Sequence, residues 1–345
     1  MFDLLKEVGR GKKGAKNLTY EQACNAAERI LTGKATSAQI GAFFMAERIK
    51  MESPEEILAF VEALRVHSIR YLLYGGIDCA GPYDGRRHSW IATLPTAFVL
   101  TACGLPVTLH GSPALPPKRG IALIDVLKEM GLSVRRCSRE ALQAGADQSG
   151  FLFVPADSWC APLRAIRPLR EELGFRTLLN TAEKLIRFSD APYMAIGVFH
   201  KTAFDKMTEI LTHIGVHSGI IVQGTEGSED LPVDRRSRAA ILRKGRCETM
   251  IFDPDSYGLK KRMPNIEWTA KRQAQTISEV LQGSGEPAYR NMVLLNSAVR
   301  LWTAGRAESP EEGLERACHT LDRGLALHQY QWWRETVLAM DEKSR

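Results

Sequence analysis

Between Tyr20 and Leu64 the apolar residues recur three and four apart in three separate runs. Ala23, Ala26, Ala27, Ile30 and Leu31 make the first, Ile40, Phe43 and Phe44 the second, and Ile57, Phe60, Val61 and Leu64 the third. That spacing puts each set on one face of a helix. Each run carries its own start signal: Thr19 with Gln22 three residues on, the Thr36-Ser37 pair, and Ser53-Pro54-Glu55-Glu56. A hydroxyl at the cap accepts from the otherwise orphaned amides, while Pro54 and the two glutamates suit the first turn of a helix. Gly33 closes the first helix. The pattern predicts a helical domain over 1–74. Its short helices carry apolar faces built of Ile40, Phe43, Phe44, Ile57 and Phe60, more than so short a stretch can cover, which predicts a homodimer through these helices.

After Gly75-Gly76 the pattern changes. Leu105 to Leu109 reads as a strand, Ile121 to Met130 as a helix closed by Gly131, Val134 as the start of another strand, and Phe151-Leu152-Phe153-Val154 as a buried strand stopped by Pro155. Tyr193 to Phe199, Ala203 to Ile214 and Gly219 to Val222 continue as strand, helix, strand, and the tail from Ala288 is mostly helical. This alternation predicts an α/β fold with a mixed, mainly parallel sheet over 75–159 and 191–345, beside the N-terminal helical domain.

Composition changes this picture little, since 44% hydrophobic and 25% charged residues describe an ordinary folded chain. The uncharged 21 residues from Ser89 to Leu109 are long enough for a membrane span, but Pro95, Gly104, Pro106 and four threonines favour a buried helix followed by a buried strand. The first residues place Asp3, Lys6 and Glu7 where an export signal needs apolar ones, and the seven cysteines are never two to five apart. Neither a secretory leader nor a zinc knuckle is expected, and a reducing cytoplasm fits best. Charge is more informative. The net +6 arises between Leu231 and Arg272, where eleven Lys and Arg face five Asp and Glu.

The passage from Gly75 to His88 holds glycines at 75, 76, 81 and 85 immediately before a predicted helix. Glycines admit phosphate oxygens to backbone amides and a helix N-terminus adds partial positive charge, although an irregular surface loop has the same composition. Taken with Leu18-Thr19-Tyr20-Glu21, Gln39 to Ala46, Leu109-His110-Gly111, Arg170 to Thr177 and Leu295-Asn296-Ser297-Ala298, it makes six fragments in order. Together they resemble the anthranilate phosphoribosyltransferase family, glycosyltransferase family 3, over about residues 5 to 330. The resemblance implies a homodimer built through a helical domain that includes a later insertion near 160–190. It also implies an α/β domain holding phosphoribosyl pyrophosphate, with Mg2+ where that donor is bound.

Carried across residue by residue, the resemblance implies a donor site at Gly81, Asp84, Gly85, His110, Gly111 and Lys118, an acceptor contact at Arg170, and a metal pair at Glu229 and Asp230. The family motifs are degenerate here. The GTGGDG loop reads Ala80-Gly81-Pro82-Tyr83-Asp84-Gly85, so Pro82 donates no amide and bulky Tyr83 replaces a glycine. The Asn-x-Ser-Thr motif becomes Ile91-Ala92-Thr93-Leu94, paired serines become Pro116-Pro117, the metal pair is reversed, and Asn180-Thr181-Ala182-Glu183 stands where the family has Gly-Pro after the asparagine. No catalytic residue can be assigned. In Asn180 to Leu185, Pro82 to Gly85 and Gly224-Thr225-Glu226-Gly227 the chain is similar to a divergent branch of the family whose characterised bacterial members look like nucleic-acid-binding proteins without anthranilate activity.

That likeness meets the charge pattern. Arg86, Arg87, Lys118 and Arg119 fall in loops expected to line the cleft, and Arg235, Arg236, Arg238, Lys260, Lys261 and Arg262 in the basic stretch. The first expectation is a homodimer that has lost the family reaction and binds DNA, RNA or another polyanionic phosphate ligand through these residues. The alternative is a phosphoribosyltransferase with an altered acceptor. Tyr257 and Trp268 among the cations suit base stacking or core packing, and Trp332-Trp333 reads as a packing anchor.

Overall fold

All three helix start signals form reciprocal caps in the computed structural model of the chain, which describes residues 1–11 and 13–343. Four helices open the chain: α1 (Phe2–Val8), α2 (Tyr20–Leu31), α3 (Ser37–Lys50) and α4 (Pro54–Val66). Thr19, Thr36 and Ser53 each accept from the third helical amide while Gln22, Gln39 and Glu56 reach back to the cap amide. Phe43, Phe44 and Phe60 lose all exposure, with the Phe43 and Phe60 rings stacked at 5.9 Å.

The covering of these faces differs from the sequence expectation. Helices Ala161–Leu173 and Leu179–Ala182, from much later in the chain, pack against α2, α3 and α4, so Ile40, Phe43, Phe44, Ile57 and Phe60 are buried within one copy. The expectation counted only the first seventy residues. Apolar residues that remain exposed in this part of the chain include Phe2 on α1, Met45 and Ile49 on α3, Met51 just after it, and Tyr20, Val66, Leu72 and Tyr74.

Seven strands form one sheet: β1 (Ile77–Ala80), β2 (Val107–Gly111), β3 (Phe151–Pro155), β4 (Tyr193–Gly197), β5 (Ser218–Val222), β6 (Ser237–Arg243) and β7 (Arg246–Phe252). Their order is β3-β2-β1-β4-β5-β6-β7, the first five parallel and the last two antiparallel. Three details depart from the sequence reading. Val134 starts no strand, because Leu132 to Arg136 turns back on itself through short-range backbone bonds. Ile77–Ala80 is a strand inside the passage read as glycine-rich loop, and the basic stretch contains the β6–β7 hairpin. Its two-residue turn, Lys244 and Gly245, has φ of 48° and 75°, the geometry that joins twisted antiparallel strands tightly.

The uncharged segment divides into helix Thr93–Ala102 and β2, and among the described residues no helix is long and apolar enough to cross a membrane. Trp333 is fully buried with its ring 4.8 Å from that of Phe151. Because β2 and β4 leave β1 on opposite sides, the strand order reverses at β1. The loops after β1, β2 and β5 meet over the carboxyl ends of the strands there, where open α/β sheets hold their ligands.

Candidate functional site

The loop after β1 is anchored by a buried polar chain. The Tyr83 hydroxyl lies 2.7 Å from Nδ1 of His110 and the His110 Nε2 lies 3.0 Å from Oδ1 of Asp78, with all three side chains buried. Burial, reinforced by nearby Glu183 and Asp78, pushes the Tyr83 phenol well above its ordinary range. It therefore stays protonated and donates to Nδ1, leaving Nε2–H to donate to the carboxylate. Both ring nitrogens of His110 are thus used inside the chain.

Beside this chain, Arg86 is 3% exposed and points inward. Its Nη1 donates to Asp230 Oδ2 at 2.7 Å and to the Trp90 carbonyl at 2.8 Å, and its Nη2 lies 3.3 Å from both carboxylate oxygens of Glu229. Arg300, from the helix Pro287–Thr303, donates to the other oxygen of Asp230 at 2.8 Å. Two buried guanidiniums therefore face two buried carboxylates. Asp230 also accepts from the amides of Ala92 and Thr93, both at 3.2 Å, at the start of helix Thr93–Ala102. Asn296 holds the acidic loop by bonding Leu231 through both its amide and its carbonyl, at 2.9 Å each. Gly81 gives the Glu229 carboxylate room here, since a Cβ in its place would stand 3.2 Å from that carboxylate and push it aside by a few tenths of an ångström.

A third internal carboxylate lies at the rim. Glu226 accepts from the amides of Arg87, His88 and Ser89 and from the Ser89 hydroxyl. Burial opposes its ionisation, but these bonds prevail and hold its pKa below the ordinary carboxylate range. Deeper between the domains, Lys118 lies 3.1 Å and Arg176 3.6 Å from the Asp84 carboxylate, and both sit over the half-exposed ring of Phe199. The buried Lys184 donates to the Gly197 carbonyl at 2.6 Å, and burial, then the nearby Arg176, pushes its pKa down to about 8. Arg170 is buried and bonded at both ends to Glu183, at 2.6 and 2.9 Å.

Two descriptions of the glycosyl transferase family match this chain, the helical bundle domain over residues 2–68 and the a/b domain over residues 84–327. An anthranilate phosphoribosyltransferase of Thermomicrobium roseum is 33% identical over 324 residues, covering 91% of each chain. One of Shouchella clausii is 29% identical over 311 residues, covering 89% of this chain and 90% of its own. The chain belongs to the anthranilate phosphoribosyltransferase family. Its fold is that of the Thermus thermophilus anthranilate phosphoribosyltransferase, with a TM-score of 0.83 at 24% identity over 97% of this chain and 99% of the other. The Saccharomyces cerevisiae enzyme solved with phosphoribosyl pyrophosphate and Mg superposes with a TM-score of 0.83 at 17% identity, each chain 98% covered.

Against the family pattern, the residues expected to meet ligand meet one another. Glu229 and Asp230, expected as the metal pair, are neutralised by Arg86 and Arg300. They do not fit a divalent cation, and among the described residues no group of three or more His, Cys, Asp or Glu could hold a metal ion. Arg170, expected at the acceptor, is held by Glu183, and His110 by Tyr83 and Asp78. Gly85 (φ 75°) packs against the Gly120 backbone, Gly111 ends β2, and Asp84 and Lys118 form a pair with each other.

The basic residues divide differently from the sequence reading. Arg86, expected on a nucleic-acid surface, is buried because two carboxylates draw it inward. Arg87, Arg119, Arg235, Arg236, Arg238, Lys260, Lys261 and Arg262 lie toward the surface. Arg119 pairs with Glu171, Arg235 with Asp234 and Arg236 with Asp253, while Arg238, Lys260, Lys261 and Arg262 form no ion pair with another described residue. Trp268 packs edge-on against Tyr289 at 5.8 Å and is core rather than a stacking platform. Sequence reasoning missed Glu226, Arg300, Glu183, Arg176 and Phe199. A lone arginine in the mainly apolar stretch Leu294 to Leu301 was the available signal for Arg300; Glu226, Glu183 and Arg176 stood inside the motifs Gly224 to Gly227, Asn180 to Glu183 and Arg170 to Thr177 without a role of their own, and nothing local marked Phe199.

Proposed function

We propose that this member has relinquished phosphoribosyl transfer to anthranilate and acts as a homodimer that binds nucleic acid or another polyanionic phosphate ligand. The observation that carries the reading is the Arg86 guanidinium lodged between Glu229 and Asp230, with Asp230 in turn on the Ala92 and Thr93 amides. Transfer requires the donor's pyrophosphate and metal to be held while the acceptor is oriented. In this chain the carboxylates, the helix amides and the acceptor arginine are each satisfied by an internal partner. The exposed Arg87, Arg238, Lys260, Lys261 and Arg262, which form no ion pair with another described residue, support phosphate binding, and arginines outside a recognition helix grip backbone without reading bases. The exposed Phe2, Met45, Ile49 and Met51 on α1, on α3 and just after it support self-association through the helical domain.

The second reading, a transferase with an altered acceptor, is favoured by one feature, the Asp84–Lys118 pair with Arg176 beside it in the cleft. A titration separates the two. The purified chain at low salt is expected to bind short DNA and RNA and to leave phosphoribosyl pyrophosphate with Mg2+ unbound; the opposite preference would reverse the assignment.

A further inference from the structure

Glu226 stands where an anionic ligand would. Its carboxylate takes four donors from one short stretch: the amides of Arg87 at 2.9 Å, His88 at 3.0 Å and Ser89 at 3.0 Å, and the Ser89 hydroxyl at 2.7 Å. Successive amides converging with a hydroxyl make an oxyanion cradle. A carboxylate offers it two oxygens and one negative charge, the same form as the two non-bridging oxygens of a phosphodiester.

Two further features make this carboxylate displaceable, and the cations around it, which favour Glu226 itself, would equally favour a phosphate in its place. Glu226 lies on a left-handed backbone, φ 59°, which residues with a β-carbon seldom adopt, and Gly227 follows at φ 76°. Its side chain is only half-buried, in contrast to Glu229 and Asp230 beneath it. Cations surround it: Arg87 is exposed on the cradle itself, Lys118 donates to the Glu226 carbonyl at 2.9 Å, and Arg235 holds the adjoining Thr225 hydroxyl at 2.5 Å. A cavity of about 100 Å3 opens beside the cradle between Ser89, Thr225 and Arg235.

We propose that the Arg87 to Ser89 cradle is a binding site for one phosphodiester group of a nucleic-acid strand, with Glu226 as its internal competitor, swinging out as the phosphate enters. The inference rests on the nucleic-acid reading above and adds a specific contact to it. An internal competitor lowers apparent affinity by the fraction of time the cradle is open, so removing it from a cradle open a tenth of the time tightens binding about tenfold.

The test uses the full-length protein, a 12-nucleotide single strand and inorganic phosphate as separate titrants, and the variants Glu226→Ala, Glu226→Gln and Glu226→Ala with Ser89→Ala. Glu226→Ala is expected to bind the strand about tenfold more tightly than wild type. It should also take up inorganic phosphate, and Ser89→Ala in that background should reverse part of the gain. Glu226→Gln keeps the side-chain volume and serves if the alanine variant fails to fold. Strand and phosphate affinities unchanged from wild type in whichever folded variant is obtained would overturn the cradle while leaving the nucleic-acid reading intact. Phosphate uptake by a Glu226 variant with no strand binding by any form would support the cradle as an anion site and overturn its assignment to nucleic acid.

Discussion

Arg86 Nη1 lies 2.7 Å from Asp230 Oδ2, an ion pair buried on both sides that joins the loop after β1 to the loop after β5. Removing Arg86 leaves buried Glu229 without a cation and Asp230 with Arg300 as its one remaining cation, and a buried charge left uncompensated costs far more than the pair contributes net. Arg86→Ala is therefore expected to lower unfolding free energy by about 3–5 kcal/mol in denaturant melts. Mg2+ should restore part of that loss by taking the vacated place, while wild type should not respond. A variant as stable as wild type would show that the pair does not organise the site.

The Tyr83–His110–Asp78 chain makes a smaller claim. Tyr83→Phe leaves His110 Nδ1 buried without a donor, which should cost about 1–3 kcal/mol. Thermal unfolding checks it, and a neutral result would mean that the histidine re-bonds elsewhere.

Stability should also depend on pH through the helical domain. Lys50 Nζ lies 2.5 Å from Glu56 and 3.3 Å from Glu47, and one cation serves two buried carboxylates. Burial resists ionisation of both, but Lys50 and the amides of Ser53 and Leu18 hold Glu56 below its ordinary range. Burial and the neighbouring Glu56 push Glu47 up to about 8. Folded Glu47 thus keeps a proton that the unfolded chain releases near the ordinary carboxyl pKa, so its stabilisation is complete below that value and is lost as pH rises to about 8. Between these limits wild type should lose on the order of 2–4 kcal/mol relative to Glu47→Gln, whose side chain does not titrate. Parallel pH profiles of the two proteins would contradict this.

Much of the fold was legible because local chemistry and global pattern agreed. The caps at Thr19, Thr36 and Ser53 and the apolar run Phe151 to Val154 needed no tertiary information. The hairpin was hidden because neither strand alternates, β6 burying Ala239 to Leu242 in succession between two arginines and β7 lying mostly exposed, although Lys244-Gly245 is a turn signal in its own right. Individual site residues were legible by type and place, but their partners were not. Arg86 meets Asp230 across 144 positions and Arg87 meets Glu226 across 139, and separations of that size are set by the sheet order. Hence Arg86 read as a surface cation when its environment makes it a buried counter-ion.

Binding of nucleic acid through phosphates carries a salt signature. Engaging about six phosphates on duplex DNA gives a slope near −0.9 × 6 in log K against log salt, a loss of roughly 10³ between 50 and 200 mM. Replacing Arg235, Arg236 and Arg238 with alanine should flatten the slope by about one to three units. Arg238 is expected to contribute most per residue, because Arg235 and Arg236 already pair with Asp234 and Asp253. An unchanged slope would mark this face as merely solvated.

The internally paired site is the centre of the account, and turnover tests it most directly. Purified protein, phosphoribosyl pyrophosphate, Mg2+ and anthranilate are followed by loss of anthranilate fluorescence, beside an active relative such as the Thermus thermophilus enzyme. Each missing charge-stabilising donor costs on the order of 10²–10³ in rate, and several are engaged elsewhere, so no turnover above background is expected. A rate within about tenfold of the relative, less than the cost of even one lost donor, would contradict the account.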